Sequence, residues 1–206
     1  STQGKSTIFS TFLRMNYDYA NRYLVTATIR SDASPRFSKD KRVGYFPSVS
    51  LGRHVKEESF LQGVKAMDQL KVRAGWGQVG NQSSTGIGDY LSKISNGQKY
   101  VLGGTVYEGR IPTALSNPDL KWEIAEQYNL GLDFSFLNGK IVANMDYFIK
   151  NTKDMIVRAP IPNYVGADEP LDNVGNMRNR GFEFTVNHYN KIGEVNYNVG
   201  LNLSHK

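Results

Sequence analysis

Catalysis and metal binding need nucleophiles, proton carriers or ligating side chains held close together, and this sequence supplies few of them. Cysteine is absent, which excludes thiol nucleophiles, disulfides and cysteine-bound zinc. His54, His188 and His205 stand apart, without the i, i+4 spacing that lets two imidazoles reach one metal. No metal and no cofactor is expected. Asp133 and Asp146 fall on the polar parity of neighbouring segments and could form a proton-sharing pair, but Asn144 opposite Asp133 and Gly131 opposite Asp146 fit a wetted surface better. Gly4-Lys5-Ser6 has the ending of a phosphate-binding loop, yet that motif needs a further glycine five positions before Gly4. Gly75-Trp-Gly-Gln-Val-Gly80 has the dinucleotide spacing after a strand, but Asn81–Gly88 cannot continue as a helix and no acidic residue closes a βαβ unit. No serine or threonine sits in a nucleophile elbow. The chain is not expected to be an enzyme.

What positions the polar side chains is a series of strands, and the clearest of them surround Asn138-Gly139. Both central residues of a type I′ turn need positive φ, which Asn and Gly tolerate. Before the turn Tyr128, Leu130, Leu132, Phe134 and Phe136 alternate with polar residues, and after it Ile141, Ala143, Met145, Tyr147 and Ile149 do the same. A two-residue loop pairs Phe136 with Ile141 and so on to Tyr128 with Ile149, so every apolar residue of the set meets another. Further alternating stretches cover Thr7–Tyr17, Tyr23–Ser31, Tyr45–Gly52, Leu70–Gly77, Phe182–Asn187 and Val195–Ser204, giving about eight strands in an antiparallel meander. Phe60, Leu61, Val64 and Met67 share a helical face behind Ser59-x-x-Gln62, which predicts one short helix near 58–68. Asp32–Arg42 is basic and reads as a solvated loop rather than a nucleic-acid patch; residues 78–118, rich in Gly, Ser and Asn, and residues 151–179 read as long connections.

The net charge of +6 favours acidic surroundings, and Tyr 12, Phe 10 and Gly 20 favour strands and turns. No apolar run approaches the ~20 residues of a membrane helix, so a membrane role would fall to strands. Along the chain the connections run short, long, helical, very long, two-residue, long, short. Outer-membrane barrels join their strands by short turns on one side and long loops on the other. Strands of about ten residues tilted near 40° reach a height of about 25 Å, enough to cross the apolar layer. A soluble sandwich also alternates, but rarely keeps its long loops at one end.

The segments Met15-Asn-Tyr-Asp-Tyr19, Tyr23-Leu-Val-Thr-Ala-Thr-Ile-Arg30, Gly44-Tyr-Phe-Pro-Ser-Val-Ser-Leu-Gly52, Leu70-Lys-Val-Arg-Ala-Gly-Trp-Gly-Gln-Val-Gly-Asn81, Leu120-Lys-Trp-Glu-Ile-Ala-Glu-Gln-Tyr-Asn129 and Asn173-Val-Gly-Asn-Met-Arg-Asn-Arg-Gly-Phe-Glu183 resemble the barrel of the SusC/RagA family, in the family's order. The resemblance implies a TonB-dependent outer-membrane transporter of Bacteroidetes that imports glycans or peptides with a SusD-like surface lipoprotein. It also implies outer-membrane lipid and, through other parts of the protein, the TonB complex as partners, and no nucleic acid. A barrel of this type has about 22 strands, so residues 1–206 are expected to be a segment of it, without plug domain and remaining strands. Ligand contacts are expected from Tyr90, Tyr100, Tyr107 and Trp122, whose rings offer contact area at little entropic cost, and from Asn129 and Asp133 on the polar face. The alternative is a soluble carbohydrate-binding or adhesive β-domain, in which the same exposed rings would stack on sugars.

Overall fold

The computed structural model describes residues 7–61 and 63–206; the Gly4-Lys5-Ser6 segment and Gln62 lie outside them. The strands are β1 (Phe9–Tyr19), β2 (Tyr23–Ala33), β3 (Val43–His54), β4 (Met67–Asn81), β5 (Lys93–Leu102), β6 (Thr105–Ala114), β7 (Glu123–Phe136), β8 (Ile141–Arg158), β9 (Leu171–Ile192) and β10 (Val195–His205). Eight of them form one sheet in the order β1-β2-β3-β4-β7-β8-β9-β10, antiparallel throughout, and β5 and β6 form a separate two-stranded ribbon.

The β7–β8 register is the one that the turn chemistry demands: Phe136 faces Ile141, Phe134 faces Ala143, Leu132 faces Met145, Leu130 faces Tyr147 and Tyr128 faces Ile149. Asn138 and Gly139 have φ of 56° and 75°. The Gly139 N–H donates to Asp68 Oδ2 at 2.9 Å, so the turn is also held from the start of β4. The neighbouring turns at the same end are equally tight. Ala20 and Asn21 both have φ of 54°, and Gly193 with φ of 61° opens the link between the paired residues Ile192 and Val195.

The helix expected near 58–68 is not formed. A short 3-10 turn, Val55–Glu57, comes first, and Leu61, Val64 and Met67 then donate to the carbonyls of Glu58, Leu61 and Val64 at i+3 spacing. Gly63 weakens a helix there, and Lys56 Nζ takes the carbonyls of Leu61 and Val64, both at 2.8 Å, which gives them a partner without α-helical bonds. The remaining strands run further than their apolar alternation. β8 and β9 reach Arg158 and back to Leu171, so the connection between them shrinks to 159–170, and the 78–118 segment carries the β5–β6 ribbon.

The buried core is small and sits at the end with the long connections. Phe37, Phe46, Leu120, Trp122 and Ile156 form it, with Tyr90 and Leu171 packed alongside. Phe46 meets the Trp122 ring edge-on with centroids 5.6 Å apart. Asp32–Arg42 is therefore not the solvated loop its charges suggest: Ser34 and Phe37 are fully buried, and Arg36 Nη1 donates to the carbonyls of Gln82 and Thr85. Gly80, last glycine of the dinucleotide-like run, is small because a Cβ there would strike the Phe46 ring.

Candidate functional site

The sheet has two unlike faces. On one, Leu13, Met15, Leu51, Leu130, Tyr147, Phe182, Leu201 and Leu203 are all among the exposed large hydrophobic residues, Leu13 at 71%. Rows of these residues are in register across the sheet, as in Leu51–Ala74–Leu130–Tyr147–Phe182. A soluble sandwich would cover such a face with a second sheet, whereas here the apolar face lies open. The opposite parity is polar, with Thr26, Thr28, Ser48, Ser50, Gly75, Gly77, Gln127 and Asn129 forming a shallow concavity of about 390 Å³ together with Arg14 and Arg73. A second concavity of about 760 Å³ lies nearer the loop end, lined by Arg30, Asp32, Asn81, Glu123 and Lys150.

Asp133 and Asp146 do come together, through a residue that the sequence pattern did not single out. Arg73 from β4 reaches across Gly131 of β7. Its Nε donates to Asp133 Oδ2 at 2.7 Å and its Nη2 to Asp133 Oδ1 at 2.9 Å, and the same Nη2 lies 3.0 Å from Asp146 Oδ1 on β8. Asn144 adds a donor to Asp133 at 2.8 Å. Gly131 makes the arrangement possible, since a Cβ at that position would lie 2.5 Å from Asp146 Oδ1 and 2.7 Å from the guanidinium. A guanidinium forked between two carboxylates makes charge-assisted hydrogen bonds to both. The cluster thus ties β4, β7 and β8 together. A glycine placed between opposite charges in register was the signal available in the sequence.

The six residues expected to contact ligand fall in three places. Asn129 and Asp133 are half-buried on the polar face; Asn129 accepts from Gln127 Nε2 at 2.8 Å. Tyr100 and Tyr107 are exposed on the ribbon, stacked with centroids 5.6 Å apart. Tyr90 is half-buried against the small core. The exposure expected of Trp122 is corrected by the structure: only 6% of it is accessible, and its indole N–H donates to the Arg42 carbonyl at 3.1 Å. Burying the ring satisfies its one polar atom and leaves no open face for a sugar.

Where the 78–118 connection leaves the core, Asp89 accepts from the Gly86 N–H at 2.6 Å and from Lys93 Nζ at 2.9 Å. Burial pushes its carboxyl up, and the hydrogen bonds from Lys93 and Gly86 more than offset this, so it titrates below its ordinary value. At the opposite end the Arg53 guanidinium hydrogen-bonded to Glu58 holds that carboxyl down as well.

The family described as TonB dependent receptor-like, beta-barrel, matches residues 1–205. The chain is 43% identical over 192 residues to the TonB-dependent receptor SusC of Bacteroides thetaiotaomicron, a match covering 89% of this chain and 18% of SusC. It is 34% identical over 199 residues to the TonB-dependent receptor P26 of Formosa agariphila, covering 96% of this chain and 20% of that protein. The chain thus spans about a fifth of the length of the curated relatives it matches. Among solved structures, the RagAB peptide transporter superposes with a TM-score of 0.79 at 25% identity, over 96% of this chain and 22% of that one. The siderophore receptor PirA of Pseudomonas aeruginosa, at 16% identity and a TM-score of 0.55, shares the fold. The sheet carries an exposed apolar parity, and the chain belongs to the outer-membrane TonB-dependent receptor-like β-barrel family.

Proposed function

We propose that the eight-stranded sheet is an arc of a larger transmembrane barrel, whose edges β1 and β10 pair with further strands, in a transporter that imports glycans or peptides. Its work is binding and passage of solute, not catalysis. The observation that carries this reading is the two-faced sheet, with a continuous exposed apolar surface on one side and Gly, Ser, Thr and Asn on the other. Such a polar wall suits a water-filled lumen. The SusC and RagA likeness supports a SusD-like surface lipoprotein as partner and the TonB complex as energy source. The wall offers little apolar area for gripping a solute, so recognition is assigned to the loop end and above all to the β5–β6 ribbon. There Tyr100 and Tyr107 stack and Val101, Leu102 and Val106 are exposed. A two-stranded ribbon alone in water is marginal, so its apolar surface calls for something to cover it.

The test is to replace Lys93–Ala114 by a glycine-serine linker in the full-length transporter, in cells with no other copy. Uptake or lipoprotein association should be lost while the barrel stays assembled and heat-resistant. Persistence of both would move recognition away from this loop.

A further inference from the structure

Phe148 breaks the polar parity of the inward wall. It stands on β8 between Asn129 of β7 and Gly181 of β9, all on strands paired on both sides at Gln127, Asn129 and Phe148. A Cβ at Gly181 would lie 3.0 Å from the ring's Cζ and 3.2 Å from Cε1, so the ring leans over the glycine, and Phe148 as a whole is half-buried. Covering a glycine gives a reason for an apolar ring here, but not for the polar groups gathered round it. Phe148, Gln127, Asn129, Lys150 and Glu183 line a concavity of about 580 Å³. Gln127 Nε2 donates to Asn129 Oδ1 at 2.8 Å, which fixes both amides and leaves Gln127 Oε1 as an acceptor and Asn129 Nδ2 as a donor. Lys150 Nζ and the Glu183 carboxylate have no partner among the described residues, whereas Asp146 is taken up by Arg73. The concavity shares Gln127 and Lys150 with the larger one of about 760 Å³ nearer the loop end, so a groove leads from that end down to the ring.

We propose that Phe148 is the stacking platform of a saccharide subsite on the inward wall, taking one neutral hexose unit of an oligosaccharide that enters from the loop end. The proposal rests on the barrel reading above, because that reading makes this face the wall of the solute's path, and it selects the glycan from the two solute classes named there. A pyranose ring presents polarised C–H bonds on its face and hydroxyls round its edge. The C–H face suits the negative face of an aromatic ring, and each hydroxyl both donates and accepts. An apolar ring with a few convergent polar groups of both kinds meets that need: Asn129 Nδ2 and Lys150 Nζ donate, and Gln127 Oε1 and Glu183 accept. Charge points the same way, since Lys150 and Glu183 cancel and favour neither an acidic nor a basic solute. A peptide would look for an unpaired strand edge, but the backbone of β7 and β8 at this level is already paired on both sides.

The experiment uses the full-length transporter in detergent, titrated calorimetrically with neutral hexasaccharides of glucose, galactose and mannose, α- and β-linked, and with neutral hexapeptides. Wild type should bind at least one hexasaccharide. F148L, which still covers Gly181 but has no aromatic face, should bind it about tenfold more weakly. F148W should keep the affinity, and Y147F on the opposite face should leave it unchanged. The fluorescence that F148W adds should be quenched by acrylamide and protected by the bound sugar. Binding of no hexasaccharide by wild type overturns the subsite, as does equal affinity in wild type and F148L. Fluorescence of F148W that acrylamide cannot reach before sugar is added would show the ring covered by another part of the chain, and binding of peptides alone would mark a different ligand class; either result also overturns it. Heat-modifiable mobility on gels reports the barrel separately, so an assembled barrel whose sugar affinity ignores Phe148 defeats this inference alone, and a failure to assemble defeats the reading beneath it.

Discussion

At the scale of single residues, parity decides what a substitution costs. Leu132 lies on the apolar face, paired with Val72 on one side and Met145 on the other, while Asn129 lies on the polar wall of the shallow concavity. Leu132→Arg should destabilise the barrel by about 2–4 kcal/mol, because a guanidinium near mid-span must leave water. Asn129→Arg adds its charge to a wetted wall and should alter permeation far more than stability. Urea unfolding of the full-length protein in vesicles measures both, and equal, small effects would refute the assignment of faces. Arg73 shows the limit of parity: its place on the polar face was legible, but its partners Asp133 and Asp146 on two other strands were not. That contact depends on three strands in register and on the empty space above Gly131.

Among the elements, the β5–β6 ribbon is tied to the body at its base. Asp89 binds both the Gly86 N–H and Lys93, the first residue of β5. Its carboxyl titrates below the ordinary value, so its contribution is present above the unfolded value of about 3.9 and disappears as pH falls through the lower folded value. Protease cleavage between Gly86 and Lys93 should therefore accelerate below about pH 4 in the wild type and be faster, with little pH response in that range, in Asp89→Asn. An unchanged acid response in Asp89→Asn would place the sensitive group elsewhere. The ribbon itself was hidden in the sequence because apolar residues stand on both of its faces and Gly97 interrupts the pairing between Asn96 and Gln98, so no clean alternation exists to be read. The helix near 58–68 failed for a related reason. Its spacing was helical, but a glycine in its middle and the side chain of Lys56 favoured successive turns.

For the whole molecule, the alternation of connection lengths predicts that the long loops lie outside the cell and the tight turns on the periplasmic side. Ser84 and Asp168 lie in the long connections and Asn138 in a tight turn at the opposite end, and all three are exposed. Cysteines placed singly at Ser84 or Asp168 in the full-length transporter should react with a membrane-impermeant maleimide on intact cells, and one at Asn138 only after the outer membrane is breached; the reverse pattern would invert the topology. Sequence by itself determined the eight strands of the sheet, the register of β7 with β8 and the parity of the alternating residues, because a period of two and an Asn-Gly turn are local facts that need no partner to be legible. Beyond the alternating stretches the strands continue without a legible pattern, and the length of β8 and β9 could be known only from their pairing. The burial of Trp122 and Phe37, the folding-in of the basic 32–42 loop and the Arg73 fork were likewise decided only by the tertiary structure. Each depends on residues far apart in the chain meeting across strands or under loops, and no local pattern encodes such distances.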